Sequence, residues 1–369
     1  MNRSLTFLLL SALVSLQIHA QERIIHFPDV APYRTLIVDL HMHTAFSDGS
    51  VWPNIRVQEA HRDGLHAIAI TDHIEYLPHE ADIPFPDRNR SYEVARIANG
   101  NDSLIVINGA EVTRDMPPGH VNAIFMEDVT SLKVLAEEPA EAALREAQRQ
   151  DAFIFWNHPN WLAQRSTGIA ELDSLHEALI AEGLLHGIEV GNEGTFSEEA
   201  LGIALAHDLT VLATSDIHGL VDWQFDVPGG GHRPVTIAFA SEHSEAALKE
   251  ALKARRTVAY FKNNLIGRGE MLGPLLEASL VITEAQYVFG TQILAITVAN
   301  KTSTPFTLRN TSDYSLHEHT DLVTVPPHGA LNLRIKTRER LSEVVLSFEV
   351  LNAYTAPGTN PTLNLTISL

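Results

Sequence analysis

Nine residues able to ligate a cation stand at the ends of successive apolar runs: His41, His43, Asp48, His73, Glu111, His120, His158, Asp216 and His218. Imidazole nitrogen and carboxylate oxygen are donors that Zn, Mn and Fe accept. The chain has no cysteine, so no thiolate competes for the role. Nine donors exceed the four to six positions of one ion. The pattern predicts two or three divalent ions (Mn, Zn or Fe) joined by a bridging carboxylate, an arrangement that activates water for hydrolysis.

The motifs differ in what each contributes. In DLHMHTAFSDGS, His41 and His43 alternate, so on an extended chain they point the same way and can grip one ion. Asp48 follows on the loop. In TDHIEY, His73 closes a short apolar run, and Asp72 beside it reads as an acceptor that orients a ligand. INGAEVT supplies Glu111, a carboxylate able to sit between two cations. PPGHVNAIF places His120 just before an apolar strand. Pro159 pins the chain after His158, and TSDIHG repeats the alternate-residue pairing with Asp216 and His218. There is neither a G-x-S-x-G serine motif nor a P-loop.

The elements that must position these groups follow from the apolar pattern. Runs at 36–40, 67–70, 104–107, 153–156, 187–190, 210–213, 235–240 and 258–261 are short, continuous and rich in Ile and Val. Strands buried on both faces read this way. Amphipathic helices are predicted over 141–150 and 244–255. Pro53 opens another over 54–62, and Pro139 introduces the one at 141. Repeated strand–helix units predict a parallel sheet closed into a barrel, with the ligands collected at the strands' C-terminal ends. After about residue 275 helices give way to alternating segments at 293–299, 330–335, 344–351 and 363–367, punctuated by Pro and Gly. These predict a small antiparallel β domain, sandwich-like. The expected division is a signal peptide at 1–20, the barrel at 21–272 and the β domain at 273–369.

Composition narrows the function. Forty-six acidic against 26 basic residues give a net charge of −20. That sign argues against nucleic-acid binding, which needs a basic face. Arg3, the apolar run 5–18 and the small Ala20 before Gln21 read as a secretory signal, and stable membrane insertion is not expected. A retained anchor helix is the competing reading. In a Gram-negative host the destination would be the periplasm. Oligomeric state is not encoded legibly.

The ordered motifs resemble the PHP (polymerase and histidinol phosphatase) superfamily of metal-dependent phosphoesterases over roughly residues 36–266. The resemblance implies a distorted (β/α)7 TIM-like barrel. It implies one metal on His41, His43, Glu111 and Asp216, a second on Glu111, His120 and His158, and a third on Asp48, His73 and His218. Glu111, Asp216 and His218 would carry the catalytic load. The export signal, the stretch TDHIEYLPHE…NRSYEVA and the β extension look most like the bacterial Sb-PDE-type phosphodiesterases. That implies attack of a metal-activated hydroxide on a small phosphodiester.

Arg90, and less so Arg88, are expected to meet a phosphoryl oxygen. Tyr76, with Trp161 and Trp223, is expected to wall the substrate site. His317 and His319, without partners, read as surface residues. The competing functions are a sugar- or histidinol-phosphate phosphatase and a non-catalytic metal- or ligand-binding protein.

Overall fold

The computed structural model describes residues 23–369. The proposed signal peptide lies outside the described residues. Among those described, no helix is long and apolar enough to cross a membrane.

The first three apolar runs form β1 (Arg34–Asp39), β2 (Ala67–Ile70) and β3 (Ile105–Val112), which lie side by side and parallel. Leu36 and Val38 of β1 meet Ala67, Ala69 and Ile107 inside the curl. Ile37, Ile68 and Ile70 face outward against Val57 and Ala60 of helix Pro53–Asp63. Both faces are covered, which is why the strands read as continuous apolar runs. Each large aliphatic side chain so buried contributes about 1.5–3 kcal/mol.

The sheet is mixed, and this corrects the parallel expectation. β4 (Val121–Ile124) runs antiparallel to β3 and to β5 (Phe153–Trp156). The link from β3 to β4 is too short for a helical crossover, so the chain must turn straight back. β5 is parallel to β6 (Gly187–Asn192), which pairs the short β7 (Thr195–Phe196) and lies parallel to β8 (Thr210–Thr214). On the other flank, β9 (Val235–Ala240) is antiparallel to β1 and β10 (Thr257–Phe261) to β9. Lys262 and Asn263, at φ 45° and 62°, turn the chain into β11 (Asn264–Gly267). Two successive positive φ values are the primed-hairpin solution.

These eleven strands, with a twelfth that the C-terminal domain contributes, form one curled sheet, a distorted half-barrel. Among the described residues β8 pairs only with β6 in the ladder. On its other side threonines take over. The Thr236 hydroxyl accepts from the Ala213 amide (3.0 Å) and donates to the Ala213 carbonyl (2.8 Å). Thr257 Oγ1 donates to the Val211 carbonyl at 2.8 Å. Side chains thus stand in for the missing backbone partners.

Helix Gly269–Ser279 leads into the β domain. There β12 (Leu280–Tyr287), β13 (Ile293–Asn300) and β16 (Ala330–Lys336) form one antiparallel sheet. β14 (Phe306–Asn310), β15 (Leu322–Val325), β17 (Glu343–Val350) and β19 (Thr362–Ser368) form the other. Leu294, Ile296 and Val298 alternate inward against Leu346, Phe348 and Val350, as a sandwich requires. β18 (Ala353–Tyr354) leaves this domain and pairs parallel to β11, so the barrel sheet ends on a strand from the β domain.

Candidate metal centre

All nine expected ligands converge on one mouth of the half-barrel. The loops that carry them are extensions of the sheet. The Asp216 amide donates to the His41 carbonyl (2.9 Å), the His43 amide to Ile217 (3.0 Å), the Glu111 amide to Asp72 (3.2 Å) and the Asn157 amide to His120 (3.0 Å). The ladder therefore continues past the strands, and the ligand backbones inherit its rigidity. The buried Arg56 clamps two of these loops. Its guanidinium donates to the carbonyls of His43, Ile217, His218 and Gly219 at 2.7–3.1 Å and pairs with Glu59 at 2.8 Å. Gly49 fits this packing because a Cβ there would stand 2.7 Å from the His43 carbonyl carbon.

The first cluster is the tightest. His41 Nε2 lies 3.1 Å from His43 Nε2, 3.2 Å from Asp216 Oδ1 and 3.5 Å from Glu111 Oε2. His43 Nε2 lies 3.1 Å from Asp216 Oδ1 and 3.3 Å from Glu111 Oε2. Four donors bound about 2.0–2.1 Å from a tetrahedral ion stand about 3.3–3.4 Å from one another. The chain thus holds these atoms at the separation a cation imposes. Glu111 Oε2 and Asp216 Oδ1 are buried and have no hydrogen-bond partner. Orphaned carboxylate oxygens in a protein interior are costly unless a cation satisfies them. The donor set fits a divalent metal.

Glu111 divides its two oxygens. Oε2 faces the first cluster, while Oε1 lies 3.0 Å from His120 Nδ1 and 3.4 Å from His158 Nε2. Asp48 gathers a further set, with His218 Nε2 at 3.2 Å, His73 Nε2 at 3.4 Å and His43 Nδ1 at 3.6 Å. The His218 Nδ1–H donates to the Asp216 carbonyl at 2.8 Å, which leaves Nε2 for Asp48's side of the site. His158 and Asp216 adopt positive φ, 26° and 49°. Strain of this kind in non-glycine residues gathers at functional sites.

The electrostatics agree. Burial opposes a charged His41, but Asp216, Glu189 and Glu111 outweigh it and hold its pKa well above the usual imidazole value. Burial likewise opposes His73, yet Glu111 and Asp48 push it up to about 10. Glu111 and Asp216 are held well below the carboxylate range by the surrounding imidazoles, against burial. This is a nest of positive and negative groups that substitute for one another's missing counter-charge.

A cleft of about 650 Å³ opens above the clusters. Tyr76 and Trp161 line it. Tyr76 packs edge-on against His73, and Trp161 is tilted against His120 and edge-on to His158 at ring separations of 5.4 and 5.3 Å. Trp223 is 80% exposed and lies outside the cleft lining. Arg90 is likewise not among the residues that line the cleft. It opens helix Arg90–Asn99 and donates to Glu93 at 3.0 Å, an i,i+3 pair on the surface. Arg88 is buried over the Phe85 ring. His317 and His319 are exposed on the β domain.

A model of the PHP domain matches residues 39–152, and an Ig-like domain model matches residues 280–366. A two-domain protein from Bacteroides vulgatus, described as containing a predicted PHP-like metal-dependent phosphoesterase, shares 40% identity. The match covers 94% of this chain and 98% of that one, at a TM-score of 0.86. The chain belongs to the PHP-like metal-dependent phosphoesterases. More distant matches are PsfC from Pseudomonas syringae (16% identity, 66% of this chain and 96% of that one, TM-score 0.43) and the lesion-specific endonuclease PfuEndoQ from Pyrococcus furiosus (19%, 68% and 62%, TM-score 0.42). Among curated proteins none matches.

The PHP-like site also uses supporting residues, of which the sequence pattern marks Asp72 but not Asn157 or Glu189. Asp72 accepts from the Thr44 amide (2.7 Å), the Thr44 hydroxyl (2.8 Å) and the Ser47 hydroxyl (2.6 Å), and so fixes the loop between His43 and Asp48 rather than an imidazole. Asn157 Nδ2 donates to Glu111 Oε1 at 2.8 Å. Glu189, fully buried on β6, accepts from His41 Nδ1–H at 2.8 Å. Its one sequence signal was a glutamate inside an apolar strand, an anomaly that demands a partner.

Proposed function

We propose that this PHP-like protein is an exported phosphodiesterase for small organophosphate diesters, with three divalent cations at full loading. The first would rest on His41, His43, Glu111 and Asp216, the second on Glu111, His120 and His158, and the third on Asp48, His73 and His218. Divalent cations so held supply Lewis acidity to phosphoryl oxygens and acidify water toward a pKa of ~7. The residues do the rest. Glu111 keeps two centres adjacent, and His218, on the cleft wall, faces the incoming ester. Tyr76 and Trp161 flank the space left for its organic arms.

The observation that carries the diester reading is the charge of the cleft. Asp48, Glu111, Asp115, Glu193 and Asp216 line it, and among the described residues no lysine or arginine does. Against those five carboxylates, two divalent cations leave a formal charge of about −1 and three leave about +1. A diester monoanion suits that balance, whereas a monoester dianion would want added cationic side chains. A polyanionic nucleic acid is disfavoured on the same ground. Export rests on Arg3, the apolar run 5–18 and Ala20.

The test is turnover by purified protein loaded with Mn²⁺. The expected result is faster hydrolysis of bis(p-nitrophenyl) phosphate than of p-nitrophenyl phosphate. Preference for the monoester would overturn the diester reading. No turnover with Mn²⁺, Zn²⁺ or Fe²⁺ would favour a binding protein.

A further inference from the structure

Glu189 holds parts of two proposed centres at once. Its Oε1 accepts from His41 Nδ1–H (2.8 Å) and the Thr214 hydroxyl (2.5 Å). Its Oε2 accepts from the His158 backbone amide (2.6 Å) and from Asn192 Nδ2 (2.8 Å). Four donors on a carboxylate with 1% exposure leave it fully satisfied. The sheet is built to deliver it there. β6 lies between β5, which ends just before His158, and β8, which ends just before Asp216. The register slips between Glu189 and Gly191, a bulge of the kind that re-aims a side chain.

The two grips do different work. The bond to His41 puts the ring proton on Nδ1, so Nε2 presents its lone pair to His43, Glu111 and Asp216. The bond to the His158 amide holds that residue at φ 26°, a conformation it would not keep unaided. His41 belongs to the first centre and His158 to the second. The two ends of one rigid carboxylate cannot move independently.

We infer that Glu189 is a positioning residue that couples the two Glu111-bridged centres, so that a cation entering either one preorganises the other. This rests on the metal assignment above. Coupling requires a differential effect on two states, and here it is mechanical: loading one centre fixes Glu189, and Glu189 fixes the remaining ligand. The Asp48 centre lies outside this linkage, since the hydrogen-bond partners of Glu189 among the described residues are His41, Thr214, His158 and Asn192.

The substitution Glu189→Gln separates the roles without changing volume. An amide NH₂ in place of Oε1 would face the His41 N–H, and the ring could respond only by taking its proton onto Nε2, the cation-facing nitrogen. An NH₂ in place of Oε2 would face the His158 amide and release that strained turn. Neither orientation serves both ligands.

The experiment is equilibrium dialysis of metal-free full chain against Mn²⁺, with bound metal measured by elemental analysis and folding followed by thermal melting. Wild type is expected to fill two equivalents cooperatively and a third independently. Glu189→Gln is expected to weaken the cooperative pair by about 10–100-fold and abolish its cooperativity, with the third equivalent within about twofold of wild type. Uniform weakening of all three steps, or no weakening, would overturn the inference. Should Glu189→Gln fail to fold, Asn192→Ser is the substitute. It removes one donor that fixes Oε2 and is expected to weaken the same pair only, and unchanged cooperativity there would overturn the inference. Failure of wild type to bind Mn²⁺ would count against the metal assignment itself.

Discussion

At the residue scale the site is a set of groups that need either protons or cations. In the metal-free protein, burial acts against a charged His73, but Glu111 and Asp48 prevail and raise its pKa to about 10. His41, His158 and His218 are raised too, each against burial and by neighbouring acids. An imidazole whose folded pKa exceeds its unfolded value of ~6.5 adds stability that is whole below that value. That stability is lost as pH climbs through the folded pKa. Glu111 and Asp216 run the other way, adding stability above the unfolded carboxylate value of ~4 and losing it in acid. The metal-free thermal midpoint is therefore expected to fall steadily between pH 6.5 and 10. With saturating Mn²⁺ that alkaline fall should vanish, because a cation takes the proton's place and prefers the neutral ring. Parallel melts of the two forms at pH 6, 8 and 10 check this, and matching slopes would contradict it.

At the element scale, the half-barrel's closure depends on hydroxyls where a ladder would normally run. Thr236→Val keeps shape but strips the Ala213 amide and carbonyl of their partner. Each orphaned buried group costs about 1–3 kcal/mol. Urea unfolding is expected to show a loss of about 2 kcal/mol or more with an unchanged slope, and a variant as stable as wild type would show that water fills the seam. The same strands show what apolar runs reveal. Both-face burial makes 67–70, 153–156 and 235–240 legible to the residue. Strand direction is not legible, because a continuous apolar run reads the same either way, so β9 and β10, expected parallel, are antiparallel. Most of the candidate ligands are legible because they flank the apolar runs, as His41, His158 and Asp216 do. Glu189 is not, because it sits inside one, and the surface pairing of Arg90 with Glu93 is not, because a loop arginine and a helix-opening arginine look alike in sequence.

At the scale of the whole molecule, the two domains share one core. Tyr260 and Leu265 of the barrel and Met271, Leu272 and Leu276 of the connecting helix belong to the same buried cluster as Phe306, Val325 and Leu346 of the sandwich. β18 caps the barrel sheet through Leu265 and Ile266, and Asn352 Nδ2 donates to the carbonyls of Asn263 (2.7 Å) and Pro305 (2.8 Å). A chain cut after residue 272 would also sever helix Gly269–Ser279. A chain ending at Ser279 keeps that helix and uncovers several large apolar side chains, each worth about 1.5–3 kcal/mol. Its thermal midpoint is expected to drop by about 10 °C or more. Every described residue that lines the cleft lies at or before His218, so the β domain is expected to add nothing directly to the chemistry. Assayed well below its midpoint, the Ser279-terminated chain should still bind Mn²⁺ and hydrolyse bis(p-nitrophenyl) phosphate within about tenfold of full length. Cooperative melting and intact metal binding with turnover abolished would mean instead that the sandwich reaches the substrate, and that the two-part chain is one catalytic unit rather than a catalyst braced by its neighbour.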